Sequence, residues 1–427
     1  MKESGAMSTE IAPTKLRSTK RLLALAIFFA GYASSISVVS LEDLAESFGV
    51  GRQAGAAQRP TAAIGLGSIL ALALCRLADK KGRRQVFLWS MVASSVFTGL
   101  TALAGSITVF TLLQLAARAF LATQFILAVT VLVEEFPPQR RGGAVGSVMA
   151  WGALGLPAAA GLHWALAGSS LGWRALYVVG LAPLILAAVM RNRLQETRRW
   201  LELGGKSHGL KRRVDLLPMV QSGAAFFLTS FAVFAAAGWW SFYAETERHF
   251  SDSTMTLMLA VAYPSGVLGY FVSGWLQDSW GRRKTGTLFM PAATVSGIAA
   301  FQATTPGVML GPLVLATFFG FGLTPLLSTL VAEAFPTGAR AYALGLARSV
   351  FGTLGAILGP VVVGIVTEAG KARGLTGMSD FGDGVSLAAL ALIPALFILR
   401  SLPETGGREL ENIAQVASAE RFELFHP

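Results

Sequence analysis

Two arginines stand inside long apolar stretches of the chain: Arg118 within 108–133 and Arg348 within 341–367. A guanidinium is planar, permanently charged, and presents donors in a fork that fits a carboxylate or another anion in two-point contact. In hydrocarbon such a charge is costly, so both side chains should face protein or a water-filled cavity. No Asp or Glu occupies the middle of an apolar stretch. Glu42, Asp43, Glu134, Glu135, Glu245, Glu247, Glu333 and Glu368 all fall near the ends. The interior is thus positive or neutral, and the chemistry on offer is recognition of an anion. Gln114 lies one turn from Arg118 on the same helical face. Tyr32, Trp151 and Tyr263 are candidate contacts for a flat apolar part of a ligand. Arg348 shares a face with Gly345, Gly352, Gly355 and Gly359, so an arginine tied to backbone in a packed seam is its alternative reading.

Other chemistries find no residues. The four histidines (His163, His208, His249, His426) are scattered, and Cys75 is the one cysteine. Neither a zinc site nor a disulfide framework follows, and there is no phosphate-binding P-loop. No metal and no cofactor is expected. His163 is the one histidine placed to carry a proton, with a satisfied structural role as its plainer reading.

These residues need elements to hold them. Apolar types make up 53% of the 427 residues and charged types 14%, against roughly 25% charged in soluble domains. Mean hydropathy is +0.57. Twelve stretches are long enough for membrane helices: roughly 22–41, 60–77, 86–105, 108–133, 142–165, 172–190, 217–243, 256–277, 286–304, 307–333, 341–367 and 385–402. The second and ninth carry the weakest apolar runs. The polar Met1–Lys20 stretch resembles no cleaved signal, so the first span is expected to be retained. Of 35 Lys and Arg, 27 fall on one side of this layout and 6 on the other. That bias places both termini in the cytoplasm and accounts for the net charge of +11 without nucleic acid.

The two halves repeat. Asp79-Lys80-Lys81-Gly82-Arg83-Arg84 matches Asp278-Ser279-Trp280-Gly281-Arg282-Arg283 at an offset of 199. Glu134, Arg141 and Gly146 match Glu333, Arg340 and Gly345 at the same offset. The expected organisation is an N-terminal six-helix half (1–190), a basic linker (191–216) and a C-terminal six-helix half (217–427). Parallel six-span halves describe one transporter architecture. Gly82 and Gly281 suit tight turns. The charges around them can pair with neighbouring helix ends, with Arg141, Glu134 and the Glu196 segment as expected partners. Such pairs would hold one side closed and break when it opens.

The Asp79–Arg84 segment resembles the signature loop of the major facilitator superfamily, although Cys75 stands where that loop usually begins with glycine. Glu196-Thr197-Arg198-Arg199-Trp200-Leu201 and Pro403-Glu404-Thr405-Gly406-Gly407 resemble the endings of its sugar-porter and metabolite:proton-symporter branches. Gly31-Tyr32-Ala33-Ser34 is similar in layout to the aromatic-acid:proton symporters, with Ala30 and Ala33 where those carry aspartates. The resemblance implies an all-α membrane protein of twelve helices that works as a monomer by alternating access. Its gating residues would be Asp79, Gly82, Arg83, Arg84, Glu134, Arg141 and Glu196, with Asp278, Gly281, Arg282, Arg283, Glu333 and Arg340 in the other half. The expected function is secondary transport of a small organic anion, a carboxylate with an aromatic one included, in a bacterial inner membrane. A proton is the candidate coupled partner, and the lipid bilayer is the surrounding. A drug or metabolite efflux antiporter and a sugar or polyol carrier are the alternatives. An enzyme is not expected.

Overall fold

The computed structural model describes residues 13–49, 58–166, 168, 169, 171–204, 216–374 and 380–413. Twelve helices cross the bundle. The first half holds α1 (Pro13–Val39), α2 (Gln58–Lys81), α3 (Arg83–Thr101), α4 (Ile107–Glu135), α5 (Pro138–Ala165) and α6 (Arg174–Arg193). The second holds α7 (Leu216–Glu247), α8 (Asp252–Trp280), α9 (Arg282–Gln302), α10 (Pro306–Ala334), α11 (Thr337–Arg373) and α12 (Phe381–Ser401). Most of the expected linker, 205–215, lies outside the described residues.

Nine of these helices are apolar and long enough to cross a membrane by composition alone. The other three, α2, α3 and α9, are less apolar, and α3 shows why they still belong in the bundle. It turns Ser90, Ser94, Ser95, Thr98 and Thr101 into the protein and exposes Trp89, Val92, Val96 and Leu100. The apolar stripe faces outward, as a lipid-facing helix requires. Of the inward hydroxyls, those of Ser94, Ser95 and Thr101 bond to neighbouring backbone or side chains, and those of Ser90 and Thr98 have no protein partner among the described residues. Gln124 of α4 donates to Ser94 Oγ at 2.8 Å, and Ser95 Oγ donates to Met91 O.

Several helices run further than their apolar stretches. The second span was expected over 60–77, yet α2 continues to Lys81. The eighth was expected over 256–277, and α8 runs to Trp280. In both cases the extra turn brings an aspartate, Asp79 or Asp278, to its partners in the folded protein. Gly82 (φ 104°) and Gly281 (φ 95°) then make one-residue turns into α3 and α9. Only glycine adopts that backbone without strain. Ser106, Ser251 and Asp380 cap the starts of α4, α8 and α12 with their side-chain oxygens.

Two spans are interrupted. In α5 the helix breaks at Leu154 and restarts at Gly155. In α11 the stretch Leu346–Gly352 is a π-helix. Such wide turns concentrate at functional sites, and this one holds Arg348.

Small residues let the backbones touch. A Cβ on Gly31 would meet Gly152 O at 1.9 Å, and one on Gly269 would meet Phe318 O at 2.0 Å. The halves meet most closely at the end that carries the α2–α3, α4–α5, α8–α9 and α10–α11 turns, here termed the basic end. There Gly142 and Gly146 of α5 lie against Gly274 and Tyr270 of α8, and Gly345 of α11 lies against Cys75 of α2. At the opposite end the ion pairs stay within a half: His163–Asp43 at 2.7 Å, Arg248–Asp380 and Lys371–Glu247.

Gly31→Val is expected to lower the thermal midpoint of the purified protein, since overpacking a tight seam costs about 1–3 kcal/mol. Gly161→Ala should leave the midpoint unchanged, because nothing lies within 4 Å of its added Cβ. Thermal-shift measurement in detergent reads both.

Candidate functional site

The basic end is closed by a buried charge network built twice. Glu134 accepts from Arg83 Nη2 at 3.1 Å and from Arg340 Nη1 at 2.9 Å, so one carboxylate joins both halves. Its counterpart Glu333 accepts from Arg282 Nη2 at 2.8 Å and Nε at 3.0 Å, and pairs with Arg141 at 3.7 Å. These six side chains are shut off from solvent. Thr197 Oγ1 donates to Glu134 at 2.6 Å, and Thr405 Oγ1 donates to Glu333 at 2.5 Å.

The signature aspartates reach across the seam. Asp79 accepts from the backbone N–H groups of Ala341 and Tyr342, at 3.3 and 2.8 Å. Asp278 accepts from those of Gly142 and Gly143, at 2.8 and 2.6 Å. Each carboxylate thereby caps the first turn of a helix in the other half, where free N–H groups and the helix dipole favour negative charge. Behind each aspartate a glutamate caps the next helix. Glu196 accepts from the N–H of Arg83 at 2.9 Å, and Glu404 accepts from that of Arg282 at 2.9 Å. Arg84 Nε donates to Leu194 O and Arg283 Nε to Leu402 O, both at 2.6 Å. Arg83 Nη2 also donates to Thr337 O across the seam, and Arg199 pairs with Glu409 and Glu411. Sequence reasoning put Asp79 and Asp278 among ion pairs. Each does pair with the arginine four residues on, Asp79 with Arg83 at 3.1 Å and Asp278 with Arg282 at 3.5 Å, while their cross-seam bonds go to backbone N–H groups, a partner that no side-chain pattern announces. Thr197, Glu404 and Thr405 belong to the network too; their signal was the repeated Glu-Thr dipeptide.

Glu404 lies outside the spans. Burial alone would raise its carboxyl, but three backbone N–H donors (Arg282, Arg283, Gly406) and the Arg282 guanidinium hold it below the usual range.

Arg118 and Arg348 stand in the interior without a carboxylate within ion-pair distance among the described residues. Arg118 Nη2 donates to Ser34 O of α1 at a long 3.4 Å. Arg348 Nη1 donates to Ser328 Oγ of α10 at 3.1 Å, and its guanidinium lies 5.6 Å over the Phe125 ring of α4. Phe125 is seven residues from Arg118 on α4, so the two charges differ in depth by about 10 Å. Each side chain is only half-buried though its helix is packed into the bundle.

The other candidate contacts divide. Tyr263 stands at the seam: its hydroxyl donates to Ala153 O of α5 at 2.8 Å. Its ring packs on Phe321, which also touches Tyr270. Trp151 is exposed beside Phe28. Tyr32 and Gln114 are buried in their own half. Tyr32 donates to Leu176 O at 2.9 Å and Gln114 to Thr101 Oγ1 at 2.9 Å. Phe125 and Ser328 carried no sequence signal, being ordinary residues of apolar runs. His163 is near one end of α5, held by Asp43, and not at mid-depth. No cluster of metal-capable side chains occurs among the described residues, and His208 and His426 lie outside them.

The model of the Major Facilitator Superfamily matches residues 23–410. The chain belongs to that superfamily. It is therefore a multi-pass integral membrane transporter and not an enzyme. A gentisate transporter of Corynebacterium glutamicum is 27% identical over 81% of this chain and 80% of its own. A cis,cis-muconate transport protein of Acinetobacter baylyi is 25% identical over 75% of this chain and 79% of its own. Among solved structures, that of the proton:xylose symporter XylE superposes with a TM-score of 0.77 at 18% identity, over 94% of this chain and 99% of that one. The fold is thus that of the superfamily, twelve helices in two parallel halves.

Two expectations follow. Cys75 is buried in the α2–α11 seam. Removing one partner of a buried ion pair costs about 3–5 kcal/mol. Asp79→Asn or Glu134→Gln should therefore speed maleimide labelling of Cys75 by roughly tenfold or more; an unchanged rate in both would separate the network from closure. Second, the depressed Glu404 carboxyl stabilises the fold above its unfolded pKa of about 4.3, and this is lost as pH falls through the lower folded value. Thermal midpoints of the wild type should fall more steeply below about pH 4 than those of Glu404→Gln.

Proposed function

We propose that this protein is a secondary transporter of small organic anions, carboxylates with an aromatic or unsaturated body among them, working by alternating access. One observation carries the reading: an arginine from each half faces the interior with no carboxylate to neutralise it. Uncompensated charge at that depth is costly unless an anion or water meets it. Relatives named for gentisate and muconate, both organic acids, support the same class.

In this reading Arg118 and Arg348 bind the carboxylate, and Tyr263 and Trp151 contact the body of the substrate. Tyr32 and Gln114 hold α4 and its neighbours in position from behind. The basic end is the cytoplasmic one, following the bias of Lys and Arg, in a bacterial inner membrane. The duplicated charge network is then the cytoplasmic gate, drawn shut, and the substrate enters from the opposite side. The halves rock as two bodies, with 191–216 as their tether, and one chain suffices. A proton is the coupled partner. The spans hold no mid-depth acid to carry it, so the substrate's own carboxyl or an end-of-span group serves.

Initial uptake of gentisate or muconate into proteoliposomes tests the site. Arg118→Ala and Arg348→Ala should each weaken apparent substrate affinity by roughly 30-fold or more, the consequence of losing about 2–5 kcal/mol of charge pairing. Arg118→Lys should recover part of it. A neutral sugar offers neither arginine a charge. Uptake of xylose in place of acids, indifferent to both substitutions, would overturn the assignment.

A further inference from the structure

A groove of about 810 Å³ opens on the outer face of the first half, between α3 and α6 at the basic end. Its rim is cationic. Lys81 closes α2, Arg84 opens α3 and Arg191 sits in the last turn of α6. No carboxylate lies within ion-pair distance of any of the three among the described residues. The Arg84 guanidinium is fixed by two neutral acceptors, the carbonyls of Leu194 and Arg191. Lys81 Nζ stands 5.8 Å over the Trp89 ring. Glu196 also reaches the groove, but its oxygens accept from the N–H groups of Arg83, Arg84 and Thr197.

Deeper along the same two helices the lining turns apolar. Leu88 and Val92 of α3 face Leu184 and Ala188 of α6. Val92 lies eight residues beyond Arg84, about 12 Å further into the membrane. Charge at the rim, indole at the boundary and apolar wall below match a lipid in order: phosphate, glycerol, acyl chain.

The gate does not require Lys81, Trp89 or Arg191. Every gating group in the first half has a counterpart in the second, at an offset of 199, or 208 after α6. At the same offsets Lys81, Trp89 and Arg191 correspond to Trp280, Leu288 and Leu399. The repeat keeps the gate and omits the groove.

We propose that this groove binds an anionic phospholipid, with its phosphate among Lys81, Arg84 and Arg191 and an acyl chain along the α3–α6 wall. The site adjoins the gate, since Trp200 at its floor donates to Asp79 O.

Native mass spectrometry of the purified full chain, titrated with dioleoyl-phosphatidylglycerol, dioleoyl-phosphatidylcholine or inorganic phosphate, tests this. Phosphatidylglycerol should bind at one saturable site, and the other two should not. Lys81→Gln/Arg191→Gln should bind it about 30-fold more weakly, as two juxtamembrane cations imply. Ala188→Trp fills the wall without changing charge and should weaken binding as well. Lys284→Gln/Arg400→Gln removes equal charge from the other half and should leave binding unchanged. Equal binding of phosphatidylcholine, capture of phosphate alone, an equal loss in the second-half variant, or unaltered binding in both groove variants would overturn the proposal.

Discussion

Everything at the basic end depends on neutralising buried charge. Four guanidiniums, Arg83, Arg141, Arg282 and Arg340, are enclosed with three carboxylates, Asp79, Glu134 and Glu333, and Asp278 stands half-buried beside them. Desolvating any of them alone is prohibitive, and attraction offsets that cost only where geometry and hydrogen bonding are nearly complete. The structure meets the condition by sharing. Glu134 serves one arginine from each half, and Asp79 and Asp278 add the dipoles of two opposing helix ends. Closure of the halves and satisfaction of the charges are therefore a single event. Separating the halves strips partners from several groups together, so intermediate openings are disfavoured. Water, admitted on opening, supplies the substitute solvation. In the function proposed above, that is the physical basis of a two-position gate.

The network is duplicated, while the interior is not. Arg118 corresponds at the repeat offset to Thr317, and Arg348 corresponds to Met149. Thr317 is tied to Ala262 O in its own half, and Met149 is buried. The division follows from what each part must do. A gate between two similar bodies works with matched halves, because each presents the same helix ends to the other. A site for one asymmetric molecule gains nothing from matching. The membrane-facing groove between α3 and α6 departs from the repeat in the same way.

Where the halves meet, glycines of α5 and α8 bring backbone against backbone. The π-helical stretch Leu346–Gly352 widens α11 at Arg348, and Pro360 removes a ladder bond further along. Both local weaknesses fall on the helix that carries an interior arginine and whose first turn is capped by Asp79.

The sequence by itself determined the membrane class, the number and order of the spans, and the repeat with its paired charged motifs. Length and apolar content suffice for spans, since a bilayer has one thickness, and fixed-offset charged motifs survive in a linear string. Span ends were less legible. α2 and α8 continue past their apolar stretches, and the aspartates in their last turns, Asp79 and Asp278, find partners only after folding. Tertiary structure alone decided which atoms those charges meet: backbone N–H groups of the opposite half for Asp79 and Asp278, and arginines of both halves for Glu134. It also separated Gln114 and Tyr32, turned into their own half, from Arg118, left without a counter-charge. A helical face read from spacing says which residues point together, not what stands opposite. What stands opposite is set by helices far away in the chain, and that decides whether a buried polar group is satisfied or left to bind something else.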